Sequence, residues 1–114
     1  MTRSVIAICV VALSLAAQSA IATERWHSST IAKVYPLASG DFIIMLDVNA
    51  PNCTATQTPY HYYHVEIGKN GMTADGLKLM YSAALAAAAQ NLTIYIVYDD
   101  STSNCYVNRL QVFY

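Results

Sequence analysis

One alanine-rich segment near the middle of the chain limits how the chain can fold. Thr73 or Asp75 can cap the start of a helix there by accepting a hydrogen bond from a free backbone amide. Apolar residues then recur at intervals of three and four, which gives the helix one apolar face. The residues of this face are Leu77, Met80, Tyr81, Ala84, Leu85 and Ala88. Because residues 83–89 are mostly alanine, a sheet or a second helix can approach them closely.

Five short segments on either side of this helix have the composition of β-strands, and turn-forming residues separate them. They are residues 31–36, 41–48, 60–67, 92–98 and 105–113. The predicted fold is therefore mainly β with one helix, in the order β-β-β-α-β-β. This is the order of the OB-fold, a partly open five-stranded barrel. The alternative is an α+β sheet with one packed helix, since the sequence does not give the order of strands in the sheet.

Residues 1–22 have the pattern of a secretory signal peptide. Arg3 supplies a positive start, residues 5–17 form an apolar run, and Ala20 and Ala22 occupy the small-residue positions before a cleavage site. Cleavage would leave residues 23–114, enough for a single small domain, which we expect to be OB-fold-like. We expect the mature protein to be secreted or periplasmic.

The cysteines are consistent with export. Cys9 lies in the predicted signal peptide, so the mature chain keeps Cys53 and Cys105. An even pair in a small exported domain is most simply a disulfide. The alternatives are a thiol nucleophile or a metal ligand, but the spacing of the two cysteines matches no CxxC motif.

Charge and hydropathy exclude several classes of partner. Without Arg3, five basic side chains stand against seven acidic ones, so the mature chain lacks the basic excess that nucleic-acid and anionic-lipid binding require. No apolar run after residue 22 reaches the roughly 18–20 residues that a spanning helix needs. We expect no nucleic-acid partner and no membrane insertion after the signal peptide is removed.

The sequence offers no set of residues for catalysis. His61 and His64 are three apart on a predicted strand, where side chains alternate between faces, so we expect no metal site. No serine lies in a G-x-S-x-G turn, and residues 68–71 lack the spacing of a phosphate loop. We therefore predict that the protein is not an enzyme and needs no cofactor.

Tyrosine is the most prominent feature of the composition, with nine copies, all after residue 22. Period-two alternation places Tyr60, Tyr62, His64 and Glu66 on one face of the third predicted strand. His61, Tyr63, Val65 and Ile67 lie on the opposite face, which we predict to be core. Tyrosine rings can stack on sugars or pack at protein interfaces, so the first four residues are the candidate ligand-binding residues. A scaffold role or a subunit interface is the alternative for this face.

The helix and the strand after it also carry a family resemblance. A Tyr-x-x-Ala-Leu element, Tyr81 to Leu85, leads through alanines into Thr93-Ile94-Tyr95, and Asp99-Asp100 and Cys105 follow. This pattern resembles the B subunit of subtilase-type cytotoxins and small exported bacterial relatives. The resemblance implies an OB-fold, a ring-shaped homopentamer and binding of cell-surface glycans. No binding residue of that family matches this sequence.

These observations lead to two functional hypotheses. The first is an exported, homo-oligomeric, non-enzymatic binding module that recognises a cell-surface glycan, like a toxin B subunit, or the surface of an exported protein. The alternative is a structural or inhibitory partner of another exported protein.

Overall fold

The computed structural model describes residues 23–114, so the predicted signal peptide lies outside the described residues. Six strands and one helix form the fold: β1 Glu24–Ser29, β2 Ile31–Pro36, β3 Phe42–Leu46, β4 Tyr63–Val65, α1 Ala74–Ala89, β5 Ile94–Asp99 and β6 Val107–Val112. They make two antiparallel sheets of three strands, in the orders β1-β5-β6 and β2-β3-β4. The prediction of a mainly β fold with one helix is confirmed.

The OB-fold barrel is not confirmed, because strand pairing within residues 23–114 leaves the two sheets separate instead of closing them into one barrel. A single residue, Thr30, connects β1 in the first sheet to β2 in the second. The same stretch of chain therefore contributes a strand to each sheet.

Strand β1 was not predicted from the sequence. Its residues are mostly polar and exposed, with Ser29 as the one buried member, so they lack the apolar alternation that marks a strand. Antiparallel pairing with β5 determines its conformation, with Trp26 opposite Val97 and His27 opposite Ile96. Backbone pairing to a neighbour that is distant in sequence thus creates a strand that the local pattern does not show.

The core lies between the sheets and the helix. All five residues of β3 are buried, so its apolar run is covered on both faces. Its alternate residues Phe42, Ile44 and Leu46 contribute to the core together with Ile94 and Ile96 of β5. The sheets therefore present one apolar face each to a shared interior.

Helix α1 begins and ends as its sequence dictates. The Thr73 hydroxyl oxygen accepts a hydrogen bond from the Gly76 backbone N–H at 3.0 Å. At the other end Asn91 takes the left-handed conformation (φ 51°). The N–H groups of Asn91 and Leu92 then donate to the carbonyls of Ala88 and Ala87. This is the Schellman arrangement, which satisfies the last carbonyls of the helix.

The predicted apolar face of α1 is largely the buried face. Leu77 and Ala84 are buried as expected, whereas Leu85 is 43% exposed and was wrongly placed on this face. Ala87 is fully buried. The small Ala84 and Ala87 form the buried side of the helix. Leu85, one residue after Ala84, is turned about 100° away from it around the helix axis and so faces away from this contact.

The predicted disulfide between Cys53 and Cys105 is confirmed. Both residues are buried, and their Cα atoms are 5.8 Å apart. The bond connects the loop before β4 to the turn before β6, so it holds together two segments from different sheets.

Candidate functional site

The four predicted ligand-binding residues lie in and around β4, but the strand is shorter than residues 60–67. Tyr63 and Val65 are fully buried, as the alternation predicted, and Tyr62 and His64 lie on the other face. Ile67 was wrongly predicted to be core and is 46% exposed. Pairing with β3 ends at Val65, and the Ile67 N–H donates to the Asp41 carboxylate instead of a strand ladder. Beyond Val65 the period-two rule therefore no longer applies.

Four rings form a continuous row across the outer face of the β2-β3-β4 sheet. Ring centroids are 6.3 Å apart between Tyr35 and Tyr62, 6.3 Å between Tyr62 and His64, and 6.1 Å between His64 and Tyr106. We call these four residues the aromatic strip. In the sheet, Ile43 of β3 pairs with Tyr35 on one side and His64 on the other, and it is only 4% exposed. The strip thus covers the outer side of β3.

Two lysines lie over tyrosine rings of this surface, one over Tyr106 at the end of the strip and one over Tyr60 beside it. Lys33 Nζ is 5.6 Å from the centroid of Tyr60, and Lys69 Nζ is 5.9 Å from the centroid of Tyr106. Both distances are within the range of a cation–π contact. The Tyr106 end of the row, and Tyr60 beside Tyr62, therefore each combine an aromatic surface with a positive charge.

Two cavities adjoin the strip. One, of about 420 Å³, is lined by His64, Glu66, Asn104 and Tyr106 among others. The other, of about 140 Å³, is lined by residues that include Tyr60 and Tyr62. The structure therefore brings Tyr60, Tyr62, His64 and Glu66 to one surface with a recess at either end.

Hydrogen bonds fix the end of the strip at Tyr106. Its hydroxyl accepts from the Asn104 side-chain amide at 2.7 Å, and its carbonyl accepts from the Asn70 side-chain amide at 2.9 Å. The backbone N–H of His64 donates to the Asn104 carbonyl at 3.2 Å. The two rings are thus positioned by contacts between segments far apart in sequence, and little ordering is left for a ligand to impose.

Burial lowers the pKa of His64, and the nearby Glu66 carboxylate opposes this effect by raising it. The net direction is downward, so the imidazole is predominantly neutral at pH 7. A neutral imidazole has one N–H donor and one nitrogen acceptor. His64 can therefore exchange hydrogen bonds in both directions with a hydroxyl-bearing ligand.

Sequence reasoning missed Tyr35, Tyr106 and the two lysines. Tyr35 lies on β2 and Tyr106 just before β6, so neither shares a strand with Tyr62 and His64. The sequence shows that Tyr35 and Tyr106 are aromatic residues in or beside strands. Their contact with Tyr62 and His64, however, depends on the order in which the strands pair. A local pattern could not have grouped them.

The described part of the chain shows no cluster of three or more histidine, cysteine or acidic side chains placed to hold a metal ion. His27 lies in β1, with its Nε2 2.7 Å from the Val48 carbonyl oxygen. No helix in residues 23–114 combines the length and apolar character needed to cross a membrane.

Comparison with family models, with curated proteins and with solved structures gives no match. The resemblance to the B subunits of subtilase-type cytotoxins therefore stays a prediction.

Proposed function

We propose that this chain is an exported, non-enzymatic binding module whose aromatic strip holds a cell-surface glycan. The observation that carries the proposal is the row of four rings across one sheet face, with one lysine over Tyr106 at its end and another over the neighbouring Tyr60. Sugar rings have apolar C–H faces that stack on aromatic rings and hydroxyls that need polar partners. The strip offers the rings, and His64, Glu66 and the two lysines offer the polar groups.

We further propose that residues 23–114 form one OB-fold-like domain. In support, only Thr30 separates β1 from β2, as if one bent strand served both sheets. The hydrogen bond from His64 to Asn104 also brings β4 close to the start of β6. If β1 and β2 count as one strand, β3 and β4 are the second and third. OB-folds bind oligosaccharides over these two strands, and here they lie beneath the strip.

The test is a glycan array probed with the purified mature protein and with Y62A. We expect wild-type protein to bind a defined set of glycans. We expect Y62A to bind them at least about tenfold more weakly, the equivalent of about 1.4 kcal/mol for one lost stacking contact. The matched control is Y114A, which removes a tyrosine that is 93% exposed and lies outside the strip. Equal binding by Y62A and wild type would contradict the assignment of the site.

The second candidate function is a structural or inhibitory partner of another exported protein. It draws on the same surface, because tyrosine is enriched at protein interfaces and His64 and Tyr62 are partly exposed. An array without binders, together with Tyr62-dependent capture of one exported protein, would favour this candidate over the first.

We also propose that the module is a homo-oligomer, as the toxin B-subunit resemblance implies. Light scattering under non-reducing conditions measures this directly. A mature subunit of 92 residues has a mass of about 10 kDa, so a pentamer would give about five times that value. A monomeric mass would exclude the pentameric assembly, and the aromatic strip would then be tested as the site of a single subunit.

A further inference from the structure

The outer face of the other sheet carries a second aromatic cluster, which the sequence analysis did not identify. Ring centroids are 5.7 Å apart between Trp26 and Tyr95, and 5.7 Å between Tyr95 and Phe113. Tyr95 faces outward because its neighbours Ile94 and Ile96 are fully buried in the core. Trp26 is 55% exposed and is the one tryptophan of the chain. We call Trp26, Tyr95, Arg109 and Phe113 the Trp26 face.

Charged and amide groups adjoin these rings. The Arg109 guanidinium lies 6.0 Å from the centre of the Trp26 ring and donates to the Glu24 carboxylate at 3.1 Å. The same carboxylate accepts from the Asn108 side-chain amide at 3.1 Å. The amide oxygen of Asn108 is buried and has no hydrogen-bond partner. This network therefore holds an acceptor that nothing in residues 23–114 satisfies.

A cavity of about 480 Å³ adjoins the cluster. Its walls include Trp26, Tyr95, Asn108, Arg109 and Gln111, and α1 contributes Leu79, which is 74% exposed. The volume falls within the range of small-molecule sites, which combine mostly apolar walls with a few fixed polar groups. The cavity thus has the size and the mixed lining of a site for a small polar ligand with an apolar face.

We propose that the Trp26 face is a second sugar-binding site, distinct from the aromatic strip, and that its ligand is a neutral sugar. Arg109 and Glu24 already neutralise each other, so the pair carries no net charge to attract a charged ligand. Hydroxyl groups can join the pair without breaking it, because the carboxylate accepts from them and the guanidinium donates to them. The Asn108 side-chain amide, which donates to Glu24, holds that carboxylate in place for these contacts. The ring C–H face then stacks on the exposed part of Trp26.

The inference goes beyond the proposed function, because it concerns a different sheet and does not need the strip. With both sites the module would bind a glycan-covered surface through two contacts, which raises the overall affinity when both engage together.

Trp26 itself provides the assay, since it is the only tryptophan. The mature protein is titrated with lactose, maltotriose and chitotriose while tryptophan fluorescence is recorded. We expect a saturable change with at least one of these neutral sugars. We expect R109A and N108A to shift its midpoint to at least tenfold higher sugar concentration.

The matched control is R25A. Arg25 also lies on β1-β5-β6 and also forms an ion pair, with Asp100 at 2.8 Å, but it does not line the cavity. R25A should titrate like wild type. Arg109 is largely exposed, so R109A should fold, and circular dichroism of each variant checks this.

The absence of a saturable change with all three sugars would overturn the proposal. So would a fluorescence change that follows protein concentration, because the occupant would then be a second copy of the chain. Array binding that depends on Tyr62, without any response of Trp26, would leave the proposed function standing and refute only this second site. A response of Trp26 without Tyr62-dependent array binding would do the reverse.

Discussion

Replacing Tyr63 by phenylalanine tests how the loop before β4 is anchored. The Tyr63 hydroxyl oxygen accepts a hydrogen bond from the Ala50 backbone N–H at 2.7 Å, and both residues are fully buried. The loop between them leads directly into the aromatic strip. Y63F removes one oxygen atom and leaves the ring, which packs edge-on against Tyr98 at 5.9 Å. The substitution therefore isolates the hydrogen bond from the packing.

The expected cost follows from the group that is left behind. In Y63F the Ala50 N–H has lost its acceptor and lies in the core without access to water. A buried donor that loses its partner costs about 1–3 kcal/mol. For a domain of this size, 2 kcal/mol corresponds to a decrease in Tm of about 8–16 °C. We expect the free energy of unfolding of Y63F to be about 1–3 kcal/mol lower than that of the wild type.

Urea unfolding followed by far-UV circular dichroism, under non-reducing conditions, measures this cost. The matched control is Y62F, the same chemical change one residue earlier, at a partly exposed position of the strip. A surface change of this kind should alter stability by no more than about 0.5 kcal/mol. If the two variants unfold at the same urea concentration, the hydroxyl does not anchor the loop and the reasoning fails.

Three further predictions concern the disulfide, His64 and the helix cap. The Cys53–Cys105 bond spans 52 positions, so the lost entropy of the unfolded chain can stabilise the protein by up to about 4 kcal/mol. Reduced protein should therefore unfold at a clearly lower urea concentration than oxidised protein, and equal midpoints would contradict this. Because the pKa of His64 is lowered in the folded protein, the unfolded chain binds more protons than the folded one as the pH drops below about 6.5. The free energy of unfolding should therefore decrease as the pH drops through that region. H64Q should flatten this part of the stability curve, and an unchanged slope would show that other groups cause it. T73A should cost about 1 kcal/mol in urea unfolding by removing the acceptor for the Gly76 N–H, whereas T73S should retain most of the stability; equal losses in the two variants would argue against capping.

Local sequence determined the elements whose cause is local. The capping threonine, the alanine-rich apolar face and Asn91 specify α1 from within its own segment. The five apolar residues of β3 specify a strand that is buried on both faces. The alternation of Ile94, Ile96 and Tyr98 specifies one buried face of β5, and all three are fully buried, whereas the equal burial of Val97 does not follow from the alternation. These signals are visible because each side chain's environment follows from the period of its own element.

Tertiary structure decided what depends on pairing between distant segments. β1 is a strand because β5 lies beside it, and its polar sequence gives no other sign of this. Tyr62 and His64 could be assigned to one face from the sequence, but Tyr35 and Tyr106 join them only through the order of strands and the turn before β6. The Trp26 face likewise exists because β1 brings its tryptophan to β5 and β6. Side-chain periodicity is a property of one segment. A surface shared by several strands depends on which strands pair, and pairing uses backbone N–H and C=O groups that nearly every residue carries. No local pattern of side chains therefore specifies such a surface.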